Sequence, residues 1–144
     1  TVKANVKRLG LDAIIVIGGD GSLSIAERFY REHGLPMVGV PKTIDNDIEY
    51  VQRTFGFATA VDMANRVLAC AHAEAKGYPD GVAIVRLMGR DSGFIAAYAS
   101  LAHPVVNFCL IPEMDFELRG ENGLLAAMDR RVAAGPGTRE QELM

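Results

Sequence analysis

Cysteine is almost absent from this 144-residue chain, which carries only Cys70 and Cys109, both set in apolar stretches. That rules against a disulfide framework or a zinc site, and the pair reads as buried thiols in a reducing compartment. Histidine is equally sparse. His33, His72 and His103 are dispersed without metal-ligand spacing, which leaves surface or helix-end roles. Long hydrophobic runs are missing too: the longest strongly apolar run, Ala13 to Ile17, is far too short to cross a bilayer, so no membrane partner is expected. Positive charge is not in excess either. A formal net charge of −3 argues against a general nucleic-acid binder, while leaving room for local basic groups in a phosphate site. The opening residues, Thr1-Val2-Lys3, show no signal-peptide pattern and no initiator Met, and they begin what reads as a helix. The expectation is an internal piece of a cytoplasmic protein.

What is present is enough apolar material to bury a core. Hydrophobic residues make up 49% of the chain and charged ones 23%, in a length that fits one domain or the meeting parts of two. Ala13-Ile14-Ile15-Val16-Ile17 is a short, mostly β-branched run ending at Gly18-Gly19, the pattern of a buried parallel strand. Ser22 to His33 reads as a helix closed by Gly34, with Pro36 just beyond. Met37 to Val40 reads as a second strand stopped by Pro41, and a polar loop runs from Lys42 to Arg53.

Phe57 to Lys76 carries Phe57, Val61, Ala64, Leu68 and Ala71 at steps of three and four, one apolar helical stripe ended by Gly77 and Pro79. Val82 to Leu87 reads as a third strand, Asp91 to Ala102 as a third helix, Val105 to Ile111 as a fourth strand and Leu118 to Val132 as a fourth helix. From Ala133 to Met144 the chain is Gly/Pro-rich and then charged, with no fifth strand. Alternating strands and helices predict an α/β, Rossmann-like parallel sheet, in which ligands sit at the carboxyl ends of the strands.

The chemistry-bearing residues fall at those ends. Gly18-Gly19-Asp20-Gly21-Ser22 leaves a strand and opens a helix, where glycines let phosphate oxygens approach the amides and the helix start adds free N–H groups. Asp20 has the chemistry to hold Mg²⁺ beside phosphate oxygens. The plainer alternative is a tight turn with Asp20 or Ser22 as an N-cap. Pro41-Lys42-Thr43-Ile44-Asp45-Asn46-Asp47 places two carboxylates two residues apart, one suited to accept a hydroxyl proton and the other to assist a metal. Lys42 offers charge for a group in transfer. An Asx-rich turn is the competing reading.

Met88-Gly89-Arg90-Asp91-Ser92-Gly93 repeats the strand end, glycine, helix start pattern, with an arginine fork for a phosphate or sugar hydroxyls, or alternatively a surface pair with Asp91. Ile111-Pro112-Glu113 closes the fourth strand with one more carboxylate. Each motif alone is unspecific. Four in succession at strand ends are not.

These stretches, with Arg53-Thr54-Phe55-Gly56-Phe57 and Thr59-Ala60, resemble the phosphofructokinase family in order and spacing from about Leu11 to Glu113. The resemblance implies a 6-phosphofructokinase, phosphorylating fructose 6-phosphate to fructose 1,6-bisphosphate with Mg-ATP in glycolysis. It implies that Gly19, Asp20, Gly21 and Ser22 bind the phosphoryl donor, with Asp20 on Mg²⁺. Asp45 would activate the sugar 1-hydroxyl, Asp47 would assist at the metal, and Thr43 would contact the phosphoryl region. Met88, Gly89, Arg90 and Glu113 would hold fructose 6-phosphate.

Residues 1–56 would belong to the donor lobe and residues 57–144 to the sugar-phosphate lobe, in a protein that works as a homo-oligomer. Gly21 favours ATP, since pyrophosphate users resembling this family carry Asp there, whereas Lys42 is common among those users. The mixed pair resembles the ATP-dependent branch of plants and trypanosomatids. A pyrophosphate-dependent enzyme and a non-catalytic sugar-phosphate or nucleotide binder are the alternatives. Gly81 stands where many bacterial members carry an arginine that reaches a neighbouring subunit's substrate, so the resemblance does not imply that contact here. Other donor and 6-phosphate residues of the family fall outside this chain, and the polypeptide by itself is expected to be inactive or weak.

Overall fold

The β-branched run after Asp12 forms strand β1 (Ile14–Gly18), and the second apolar run forms β2 (Met37–Pro41), in a computed structural model that describes residues 1–135. The two strands pair in parallel from Ile14 opposite Met37 to Gly18 opposite Pro41. Before them lies helix α1 (Val2–Leu9), capped by Thr1 and closed by Gly10 in the left-handed conformation. Between them runs α2 (Asp20–His33), which packs on both strands.

Gly34, at φ 67°, returns its N–H to the Tyr30 carbonyl at 2.7 Å and ends α2 where the sequence places the stop. The period-two rule is visible along β1: Ile14 and Val16 are half-buried, while Ile15 and Ile17 point to the other face and are exposed. Leu23 of α2 lies over β2 at Gly39, where a Cβ would come within 2.9 Å of its Cδ2.

The second packing unit is helical. The stripe read from the sequence becomes α3 (Phe57–Lys76), with Phe57 and Ala64 buried and Val61, Leu68 and Ala71 half-buried. It packs against α4 (Phe94–Ala102), which contributes buried Ile95 and Ala99. Phe57 and Tyr98 meet edge to face with ring centroids 5.1 Å apart. A last helix, α5, spans Leu124–Ala133.

Several expectations are corrected. Neither Val82–Leu87 nor Val105–Ile111 is a strand. Both have strand-like composition, but a strand exists only through its ladder, and among the described residues neither pairs with β1 or β2. Val82 and Ile84 are consequently exposed. Helix α4 starts at Phe94 rather than Asp91, because residues 89–92 form a turn closed by Ser92 N–H on the Gly89 carbonyl at 2.9 Å. Helix α5 starts at Leu124 rather than Leu118, after a turn in which Leu124 N–H bonds the Glu117 carbonyl at 2.8 Å and Gly120 adopts φ 105°.

Cys70 and Cys109 are exposed, not buried: Cys70 sits off the apolar stripe of α3, and Cys109 lies in the segment left without a ladder. The Gly/Pro-rich and charged stretch read over residues 133–144 lies outside the described residues from Pro136 onward. No helix among the described residues is long and apolar enough to cross a membrane.

Candidate functional site

The carboxyl ends of β1 and β2 lie side by side, so the loops that follow them start as neighbours. Lys42 N–H donates to the Gly18 carbonyl at 2.7 Å, extending the ladder into the loops. Gly19 faces Thr43 so closely that an added Cβ would stand 3.2 Å from the threonine Cβ. At Gly18 an added Cβ would meet Ser22 Cβ at 2.6 Å. Both glycines therefore serve close packing of backbone against side chain.

Gly19, extended at φ −87° and ψ −171°, is the N-cap of α2. Neither Asp20 nor Ser22 plays that part, which removes the capping alternative for both. Asp20 stands exposed in the first turn, accepting a 3.5 Å bond from Ser24 Oγ. Gly21 differs from its neighbours, since a Cβ there would meet nothing within 4 Å. Its lack of a side chain has no packing reason among the described residues.

The acidic loop is braced from several sides. Asp45 N–H donates to Thr43 Oγ1 at 3.2 Å, and the Asp45 carbonyl accepts from Ser92 Oγ at 2.8 Å. Asn46 sits at φ 58°, a left-handed conformation that asparagine tolerates, and its Oδ1 accepts the buried Thr54 N–H at 2.8 Å. Asp47 Oδ1 is buried without a hydrogen-bond partner. An orphaned carboxylate oxygen at that depth is costly unless something positive or hydrogen-donating reaches it.

The third and fourth motifs join the same assembly. Ser92 closes the turn that carries Arg90, which is held at φ 54°, with Gly89 at φ 141°. Gly93, next in sequence, donates its N–H to Glu113 Oε1 at 2.7 Å. An added Cβ at Gly93 would stand 2.5 Å from both Glu113 Oε2 and Ile111 Cβ, so only glycine fits between them.

A continuous path of hydrogen bonds thus runs from the Thr43 hydroxyl through Asp45 to Ser92-Gly93 and Glu113. Other side chains are not gathered in. Arg90 Nε pairs with its neighbour Asp91 at 3.0 Å, the surface pairing weighed from the sequence. Met88 is exposed, as is Lys42. No group of three or more His, Cys, Asp or Glu side chains assembles a metal cage among the described residues.

Sequence reasoning singled out the loops but missed Ser92, Asn46 and Thr54 as the groups that tie them. A serine directly before the glycine of a strand-end turn was the one available sign. A cavity of about 270 Å³ lined by Leu23, Ala26, Glu27, Tyr30, Met37 and Gly39 lies between α2 and β2 and shares no residue with these loops.

A parallel βαβ unit, with a glycine turn after β1 and an acidic loop after β2 that is hydrogen-bonded to the turn carrying Arg90, defines an α/β protein with polar loops at the carboxyl ends of its two strands. The phosphofructokinase family model matches residues 1–140, and the chain belongs to that family. It is 48% identical over 132 residues to an ATP-dependent 6-phosphofructokinase of Borreliella burgdorferi, covering 88% of this chain and 30% of that protein. It is 44% identical over 133 residues to ATP-dependent 6-phosphofructokinase 1 of Arabidopsis thaliana, covering 89% of this chain and 28% of that protein. Against an ATP-dependent 6-phosphofructokinase of Trypanosoma cruzi the identity is 46% over 131 residues, 88% of this chain and 26% of that protein. The chain therefore spans less than a third of the length of these relatives.

Proposed function

We propose that this chain supplies the phosphoryl-transfer loops of an ATP-dependent 6-phosphofructokinase, which phosphorylates fructose 6-phosphate to fructose 1,6-bisphosphate. The observation that carries this reading is the hydrogen-bonded path joining Thr43, Asp45, Ser92, Gly93 and Glu113, in a chain of this family. It ties the backbone of Asp45, whose side chain is the proton-accepting carboxylate in this reading, to the turn and glutamate assigned to the sugar. Asp45 is the general base that takes the proton of the sugar 1-hydroxyl as its oxygen bonds to the terminal phosphorus of ATP and the bond from that phosphorus to the bridging oxygen breaks, releasing ADP. Gly19, Asp20, Gly21 and Ser22 bind the donor phosphates at the start of α2, helped by the free N–H groups there. Thr43 contacts the phosphoryl group and Lys42 offsets its charge. Met88, Gly89, Arg90 and Glu113 hold fructose 6-phosphate.

Asp20 and Asp47 are the groups that fit Mg²⁺, which would neutralise phosphate charge when bound. The unpartnered Oδ1 of Asp47 is the kind of hard oxygen such an ion takes, and Mg²⁺ bound with phosphates needs only one or two carboxylates rather than a cage. The open space at Gly21 supports ATP as donor, because it leaves room beside the phosphates that a side chain would occupy. In this reading residues 1–56 belong to the donor lobe and residues 57–144 to the sugar-phosphate lobe of a cytoplasmic, glycolytic homo-oligomer.

The test is the rate of fructose 6-phosphate phosphorylation by the protein expressed from its own gene, with Mg-ATP and with Mg-pyrophosphate. Turnover with ATP is expected. Turnover with pyrophosphate alone would overturn the donor assignment, and none with either would overturn the reading as a whole.

A further inference from the structure

We infer that Ser92 is a positioning residue that holds the base, Asp45, in register with the turn that carries Arg90. The inference rests on the functional reading above and adds a role for a residue of the third motif to which the sequence assigned none. Ser92 is buried, at 7% exposure, and contributes two bonds with different destinations. Its backbone N–H closes the Gly89–Ser92 turn at 2.9 Å, and its hydroxyl donates to the Asp45 carbonyl at 2.8 Å, across 47 residues of sequence.

Asp45 is thereby gripped at both ends of its backbone, by Thr43 Oγ1 on the N–H and by Ser92 Oγ on the carbonyl. The next residue, Asn46, is at positive φ and accepts the Thr54 N–H on its side chain, so the loop is held on the far side of Asp45 as well. Among the described residues no helix–helix or helix–strand packing joins the βαβ unit to the α3–α4 pair. The Ser92 hydroxyl bond therefore bridges the two at the site of chemistry. A carboxylate that must meet a hydroxyl within hydrogen-bond reach loses rate when its backbone drifts, even if substrate still binds.

The two bonds make a kinetic signature. Alanine at position 92 keeps the N–H and hence the turn that presents Arg90, and removes only the clamp on Asp45. In the protein expressed from its own gene, Ser92→Ala is expected to lower kcat about tenfold or more while the fructose 6-phosphate KM changes less than about threefold, as for an interaction that matters in the transition state. Ser92→Thr, which restores a hydroxyl, is expected to recover most of the rate. In an Asp45→Asn background Ser92→Ala should add less than about a twofold loss, because groups acting as one unit are not additive.

A Ser92→Ala kcat within twofold of wild type overturns the inference. So does an undiminished loss in the Asp45→Asn background, which would mark a merely structural effect. If Ser92→Ala does not fold, Ser92→Cys, a weaker donor of similar shape, must give the same split of kcat from KM, and an unsplit loss counts against the role. A wild-type protein without turnover fails the functional reading itself and is recognised before any variant is made.

Discussion

Residues 14–47 and residues 82–113 carry the same kind of glycine-rich, polar loop, but the two regions hold those loops by different means. In the first, β1 and β2 form a ladder that continues into Lys42 N–H and the Gly18 carbonyl, so regular backbone pairing sets where the loops begin. In the second, no ladder exists among the described residues, and individual bonds do the holding: Ser92 to Asp45, Gly93 to Glu113 and Ser92 to Gly89. The lesson is that regular backbone pairing sets where the first loops begin, whereas the position of the second pair depends on a few individual bonds.

The same contrast explains what could be read in advance. Strand β1 announces itself because Ile14-Ile15-Val16-Ile17 is β-branched and ends in Gly18-Gly19, and α3 was legible to the residue because its stripe and its stops agree. Val82–Leu87 has equally good strand composition and is not a strand, since a ladder is a property of partners and not of the segment. Exposure of Cys109 follows from the same missing ladder. The four loops were found by their residue types. The Ser92–Asp45 bond was not, because nothing local in either segment points to a partner 47 positions away.

The largest way to sharpen the comparison is on the ladder side, with Asp47→Asn. It removes charge from a buried, unpartnered oxygen, so catalytic rate should fall by about a hundredfold and the Mg²⁺ requirement should shift upward, measured as rate against Mg²⁺ concentration. The fold should survive, since asparagine matches aspartate in shape and the replaced oxygen holds no hydrogen bond that would be lost.

On the other side, Gly89→Ala asks a residue with a Cβ to adopt φ 141° while pressing against the Ser92 carbonyl. About 3 kcal/mol of stability should be lost, visible in denaturant unfolding, with activity lost alongside it. Back on the ladder side, Asn46→Ala is expected to cost somewhat less, about 1–3 kcal/mol by the same measurement, because it strands the buried Thr54 N–H.

The smallest effect on the fold belongs to Gly21→Asp, whose new side chain enters open space. Its Tm should match wild type within a degree or two, as expected for a substitution that touches nothing. The KM for ATP should nevertheless rise, through repulsion of the nucleotide phosphates. If Gly21→Asp instead unfolds the protein, the open side of the glycine turn has been misassigned.

The account rests most heavily on Asp45 as the proton acceptor, and the most direct measurement is steady-state phosphorylation of fructose 6-phosphate with Mg-ATP by wild type and Asp45→Ala. The account predicts a loss of about a thousandfold in kcat, in the range of a removed general base, with nucleotide affinity close to wild type. Turnover within tenfold of wild type from a folded Asp45→Ala protein would contradict it.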